Sequence, residues 1–166
     1  MIERTNRIWL PKTGFTVSHV AGDDGYYQVG FPRATRFVDN GNNTVSDLCT
    51  GLTWVYDLAT LGAPFNAAIT WADGLAACEA LTYAGYSDWR MPNANDLCYV
   101  IDWGNRAWST ALGWGAIAAW ASTPADATTA WRVSPSAGNP YSNVLKTNNA
   151  SYRACLVRGG QKNANR

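Results

Sequence analysis

The apolar positions of the chain form two helical stripes set among many short alternating runs. The first stripe lies in TWADGLAACEALTYAGYSDWRMP, residues 70–92. Trp71, Leu75, Cys78 and Leu81 recur there at helical spacing and line one face. Thr70 stands where an N-cap belongs, with Asp73 three residues on as an acidic capping-box partner. Gly85 is expected to stop this helix from the C′ position. SDWRMP then reads as extended chain up to Pro92. Beyond it Asn93 caps a second helix that carries Leu97, Val100 and Ile101 and ends at Gly104.

The rest of the pattern is strand and turn. RIWL (7–10) is a short apolar strand ended by Pro11, and 26–30 is a second, after an Asp23-Asp24-Gly25 turn. Residues 37–39 and 44–47 flank NGNN, a hairpin signal, and TGLTWVY (50–56) supplies an inner strand. That loop slightly resembles a calcium loop, but it lacks EF-hand spacing and the downstream bidentate Glu. Further strands are expected at 119–122, 130–133, 144–147 and 154–158. Two helices ahead of a strand-rich second half give an α+β plan. The expected organisation is one domain over 1–160 with a loose polar tail, 161–166.

Composition narrows the function. Charged residues are 15% of the 166 and the net charge is +1, so the chain lacks the electrostatic footprint of nucleic-acid binding. No apolar run reaches membrane-spanning length, so membrane insertion is not expected. Met1-Ile2-Glu3-Arg4 has neither the basic nor the apolar part of a signal peptide. A virion component released by lysis would fit such a start. The four cysteines allow three pairings, undecided by counting.

Five segments occur in order: LPKTG (10–14), RFVDNGNNTVSDLCTGLTW (36–54), TWADGLAAC (70–78), GYSDWRMPNANDL (85–97) and RACLVRGG (153–160). Together they resemble the DUF1566 family, also called the Lcl C-terminal domain. Between Trp108 and Tyr152 the likeness is looser, with WAST and AWRV in place of the family's usual WSST and AWYV. The resemblance implies the formylglycine-generating-enzyme branch of the C-type-lectin-like fold. In that fold two helices flank a small antiparallel sheet, the termini lie close together and long loops form a display face. It also implies a disulfide between the first helix and the final strand, the elements that hold Cys78 and Cys155. Such a bridge would add about 4.5 kcal/mol in a chain-entropy description. Cys49 and Cys98 would form the remaining pair; the alternative is four buried thiols.

Catalytic signatures are poor. A formylglycine-type oxidase needs two C-terminal cysteines, and only Cys155 lies there. His19, the single histidine, has no metal-ligand neighbours at suitable spacing. Asp88, Arg90 and Asp96 read as an internal ion-pair clamp rather than acid and base. GxSxG, HExxH, P-loop and GxGxxG motifs are all absent. The superfamily's calcium-dependent sugar motifs, EPN or QPD followed by WND, are absent too. No catalytic residue, metal or cofactor is therefore expected.

A binding role is what remains. Asp126, Thr128, Arg132, Ser134, Asn139, Tyr141, Asn143, Lys146, Asn148, Asn149 and Tyr152 make a Tyr/Ser/Asn-rich set like that of antibody paratopes. The expected function is a non-enzymatic adhesin or receptor-binding module on a cell or virion surface, for a protein or glycan receptor. A homo-oligomer is expected, a trimer among the candidates. The segment before RACLVRGG also resembles the variable region of diversity-generating-retroelement proteins. The rival reading is a structural virion part, a decoration or fibre-tip protein, packing through WSTALGWGAIAAW (108–120), which reads as either an inner loop or an oligomer contact. Trp54, Trp71, Trp89 and Trp131 are assigned to the core, as is Trp9.

Overall fold

The computed structural model describes residues 10–136 and 140–159. Its helices are α1 (Asp24–Tyr27), α2 (Trp71–Ala80) and α3 (Ala94–Tyr99). Strands β1 (Phe37–Asp39), β2 (Thr44–Asp47) and β3 (Leu52–Val55) precede α2. After α3 come β4 (Ile101–Asp102), β5 (Ala107–Trp108), β6 (Ala118–Pro124), β7 (Thr129–Val133), β8 (Tyr141–Leu145), β9 (Tyr152–Arg153) and β10 (Val157–Gly159). They form sheets of order β1-β2-β3-β10, β4-β5 and β8-β7-β6-β9, antiparallel except where β9 runs parallel to β6.

This architecture corrects the expected α+β plan of two helices flanking one small sheet. The described chain is mostly β, its strands divided among three sheets. The helices are shorter than their apolar stripes suggest. Thr70 does cap α2, its Oγ1 accepting from the Asp73 amide at 3.3 Å. The helix nevertheless turns extended at Leu81, ahead of a tight Tyr83–Tyr86 hairpin. Ala84 and Gly85 occupy that turn at φ 52° and 82°, so Gly85 serves the hairpin and not the helix end. Asn93 and Asp96 close a full capping box on α3, but Ile101 and Asp102 leave it to pair with Trp108 and Ala107. In both places strand pairing ends the helix before its apolar stripe does.

Several strands fall where the alternation puts them. The β1–β2 hairpin has the expected bounds, and Asn40 N–H donates to the Thr44 carbonyl at 3.0 Å across its turn. Gly41 and Asn43 take φ 74° and 61° there, the left-handed values that glycine and asparagine tolerate best. β3 is an inner strand, between β2 and β10. Residues 24–27, expected as part of a turn and a strand, form α1 instead. Asp23 caps it, accepting from the Tyr26 amide at 2.8 Å. The expected strand at 144–147 begins earlier, at Tyr141, and the last one shortens to β10. The expectations for residues 7–9, the 161–166 tail and the closeness of the termini fall outside the described residues.

The core is built on tryptophan. Trp54, Trp89 and Trp120 are buried, and so are Trp108 and Trp114. Trp71 and Trp131 are half-buried against the same core. Trp108, Trp114 and Trp54 form an edge-to-face chain with centroid separations of 5.3 and 5.6 Å. The indole N–H groups of Trp108, Trp114 and Trp120 donate to the carbonyls of Ile117, Val55 and Ile69. The three tryptophans of residues 108–120 are therefore part of the core, while Thr110, Gly113, Gly115 and Ala116 between them are exposed. Each buried ring has one polar atom to satisfy, and a backbone carbonyl meets it in these three cases.

Candidate functional site

The sequence-predicted binding residues spread along the β8-β7-β6-β9 sheet and do not converge. At one end, Asp126 folds the β6–β7 turn around its own carboxylate. It accepts from the amides of Thr128 and Thr129 at 2.7 Å each and from both of their hydroxyls. The Thr129 hydroxyl first, then these amides, hold the Asp126 carboxyl well below the usual carboxylate range. Lys146 clamps the turn from β8's end, donating to the Asp126 and Ala127 carbonyls at 2.8 and 3.1 Å. Its ammonium lies 4.6 Å from the centre of the Trp71 ring. These groups already have partners, the chemistry of a stable turn.

At the opposite end stand Ser134, buried, and Tyr141, half-buried. Val133 and Tyr141 pair at that end, whereas Thr129 and Leu145 pair beside the turn. Four strand steps, about 13 Å, separate the two. Tyr141 packs against Trp103, with centroids 6.3 Å apart. Burial, followed by its contact with Cys98, pushes the phenol upward in pKa. Arg132 lies between the two ends, level with Trp120 on β6 and Ser142 on β8. Its Nε is buried and has no hydrogen-bond partner among the described residues. Tyr152 stacks edge-on to Trp120 at 4.8 Å, and Asn148 accepts from the Ala150 amide. Asn143 and Asn149 are exposed; Asn139 lies outside the described residues.

Cys78 and Cys155 do meet, as the resemblance implied. They meet as thiols, however: the Cys78 Sγ lies 3.7 Å from the Cys155 carbonyl and neither cysteine is bridged. Burial raises both, Cys78 to about 12 and Cys155 well above its ordinary value. Cys49 and Cys98 are likewise thiols, so the expected second bridge is also not formed. Asp88 of SDWR and Asp96 of α3 are both paired: Asp88 with Arg158 at 2.7 Å and Asp96 with Arg90 at 2.7 Å. His19 lines an open groove of about 620 Å³ together with the Arg33–Asp102 ion pair. Among the described residues no group of three metal-ligating side chains comes together, and no helix is long and apolar enough to cross a membrane.

A second concavity was missed at the sequence level. It is a cleft of about 290 Å³ floored by Trp108, Leu112, Ile117 and Pro135. Arg106, Thr110 and Ser136, all exposed, stand on its lining, and Thr110 also lines the groove beside His19. The Trp108 indole is held by the Ile117 carbonyl at 2.9 Å and by the Trp114 ring, so the floor is set by packing. One signal was readable in advance: Arg106 is the only charged residue between Asp102 and Asp126. A cation alone in an apolar stretch has no local partner to neutralise it.

The chain belongs to the Lcl C-terminal domain family, whose profile matches residues 43–158. No curated protein matches the chain.

Proposed function

We propose that this domain is a non-enzymatic recognition module, an adhesin or receptor-binding domain presented on a cell or virion surface. The observation that carries the reading is the open cleft between residues 106–117 and 135–136, with an immobilised tryptophan floor and polar groups at its mouth. Ligand sites are commonly concave, apolar and pre-formed, with a few polar groups that fix orientation. Asn143 on β8 and Asn149 in the loop after it are exposed polar positions outside the cleft lining. Protonated, buried thiols are poor nucleophiles, and that weighs against a thiol oxidase. Retroelement-driven diversification of this segment would act at exposed positions such as Thr128, Asn143 and Asn149 and spare buried Ser134.

The test is a glycan and cell-surface binding screen of the purified protein, with and without chelator, alongside its mass in solution. Chelator-insensitive binding that falls on changing Arg106 or Asn143 to alanine supports the module. Absence of binding to any surface, together with a tight symmetric oligomer, would move the assignment to a structural virion part. One observation favours that second reading: Val17, Val20, Tyr26, Tyr27 and Val29 expose 61–73% of their surface on one short segment. Such clustering is usual where a protein meets a partner.

A further inference from the structure

The cleft lining specifies a ligand class. Arg106 sits at its mouth with φ 51°, a left-handed backbone that arginine adopts at a cost, and such outliers gather at ligand clamps. Its guanidinium has no ion pair or hydrogen bond with any described residue. The nearest acid in sequence, Asp102, is already held by Arg33 at 2.8 Å and by the Asn105 amide group at 2.8 Å. The mouth therefore carries a positive charge that no described residue compensates, while the floor beneath is apolar.

We propose that this cleft binds a small organic carboxylate with an apolar body, an aromatic ring or a branched aliphatic chain. The body lies on Trp108, Leu112 and Ile117, and the carboxylate faces the Arg106 guanidinium, whose planar fork suits two parallel N–H···O bonds. The Thr110 and Ser136 hydroxyls are further donors on the same lining. A bare inorganic anion would leave the apolar floor facing water, and a neutral ring would leave Arg106 unpaired. An acidic sugar would bring more hydroxyls than the floor has partners for. The volume stands at the lower end of the range for ligand pockets, about 300–1,000 Å³, which limits the occupant to one ring or short chain with its acid group. The proposal rests on the recognition reading of this face and adds the chemistry of what is recognised.

The experiment is an NMR titration of the whole protein, following the Trp108 indole N–H and the amides of residues 106–117. The probes are phenylacetate, its uncharged analogue phenylacetamide, N-acetylneuraminate and inorganic sulfate. Phenylacetate is expected to shift these signals saturably, and the other three to bind at least about tenfold more weakly, the loss of one charge-assisted contact or of the apolar one. Arg106→Gln should bring the acid and the amide to within about twofold of each other, since only the charge-assisted pair distinguishes them. Ala116→Phe, at an exposed lining position, should block both. Equal binding of acid and amide to the unaltered protein overturns the proposal. So does a preference for N-acetylneuraminate or sulfate, or silence from every probe. Surface binding measured in parallel separates the two readings: surface binding without phenylacetate binding sinks only the ligand class, and the reverse sinks only the adhesin.

Discussion

Arg36 and Asp47 face each other inside the protein, joined by two hydrogen bonds, Nε to Oδ1 at 2.8 Å and Nη2 to Oδ2 at 2.6 Å. Both side chains are almost fully buried. The remaining guanidinium nitrogen, Nη1, donates to the Tyr99 carbonyl, and the carboxylate also accepts from the Cys49 amide and the Thr50 hydroxyl. One pair thus ties the entry to β1, the end of β2, the turn after it and the end of α3. Breaking it from one side leaves a buried charge uncompensated, which costs about 3–5 kcal/mol. Arg36→Ala and Asp47→Ala are each expected to lose that much in urea unfolding. A double variant losing much less than the sum would establish the coupling.

Trp114→Ala and Trp120→Ala are expected to destabilise the fold by about 3–5 kcal/mol, the usual range for emptying a buried aromatic site. Each also strands a backbone carbonyl that now accepts an indole N–H. Chemical denaturation reads the loss directly. Sedimentation of the folded fraction should show an unchanged oligomeric state, because both rings point into the core.

The thiols have a chemical signature. Unfolding in denaturant without reductant, followed by iodoacetamide, is expected to add four alkyl groups, one for each cysteine. A gain of only two would mean that one disulfide exists. In the native protein at pH 8, Cys78 should resist labelling, since burial and then Glu79 raise it to about 12 and keep the thiolate scarce.

Two aspartates should titrate low. Asp23 is depressed to about 2 from 3.8, chiefly by the His19 amide and then by the Val20 amide. Its folded value lies below its unfolded one. The stabilising contribution is therefore complete above the unfolded value and disappears as pH falls through about 2. Asp126 follows the same sign. The amide signals of Tyr26, Thr128 and Thr129 are expected to hold steady through the range where ordinary aspartates protonate. Midpoints near 4 for these amides would contradict the assigned hydrogen bonds.

Lys146→Ala removes two hydrogen bonds to the β6–β7 turn and the contact over Trp71. The cation–π part alone amounts to about 0.5–1 kcal/mol at an exposed site. Faster amide exchange at residues 126–129, with receptor binding retained, is the expected result. Binding lost while the turn stays protected would return Lys146 to the recognition surface.

By itself the sequence determined the features that depend on near neighbours. Thr70, Asn93 and Asp96 cap helices because a cap needs only the next three residues, and the NGNN turn joins β1 to β2 for the same reason. The family likeness was legible through motifs such as GYSDWR, and the profile match supports it. The balance of the fold was decided only in three dimensions. Leu81 and Ile101 continue helical stripes, yet the chain leaves the helix at both ends because hairpin and sheet partners compete for its backbone. The candidate site divided for a related reason. Lys146 lies near Tyr141 in sequence, but pairing of β8 with β7 sets it beside Asp126, at the end of the strand opposite Tyr141. Conversely, Trp108 and Pro135 share a cleft across 27 residues of sequence, brought together by core packing that no local pattern encodes.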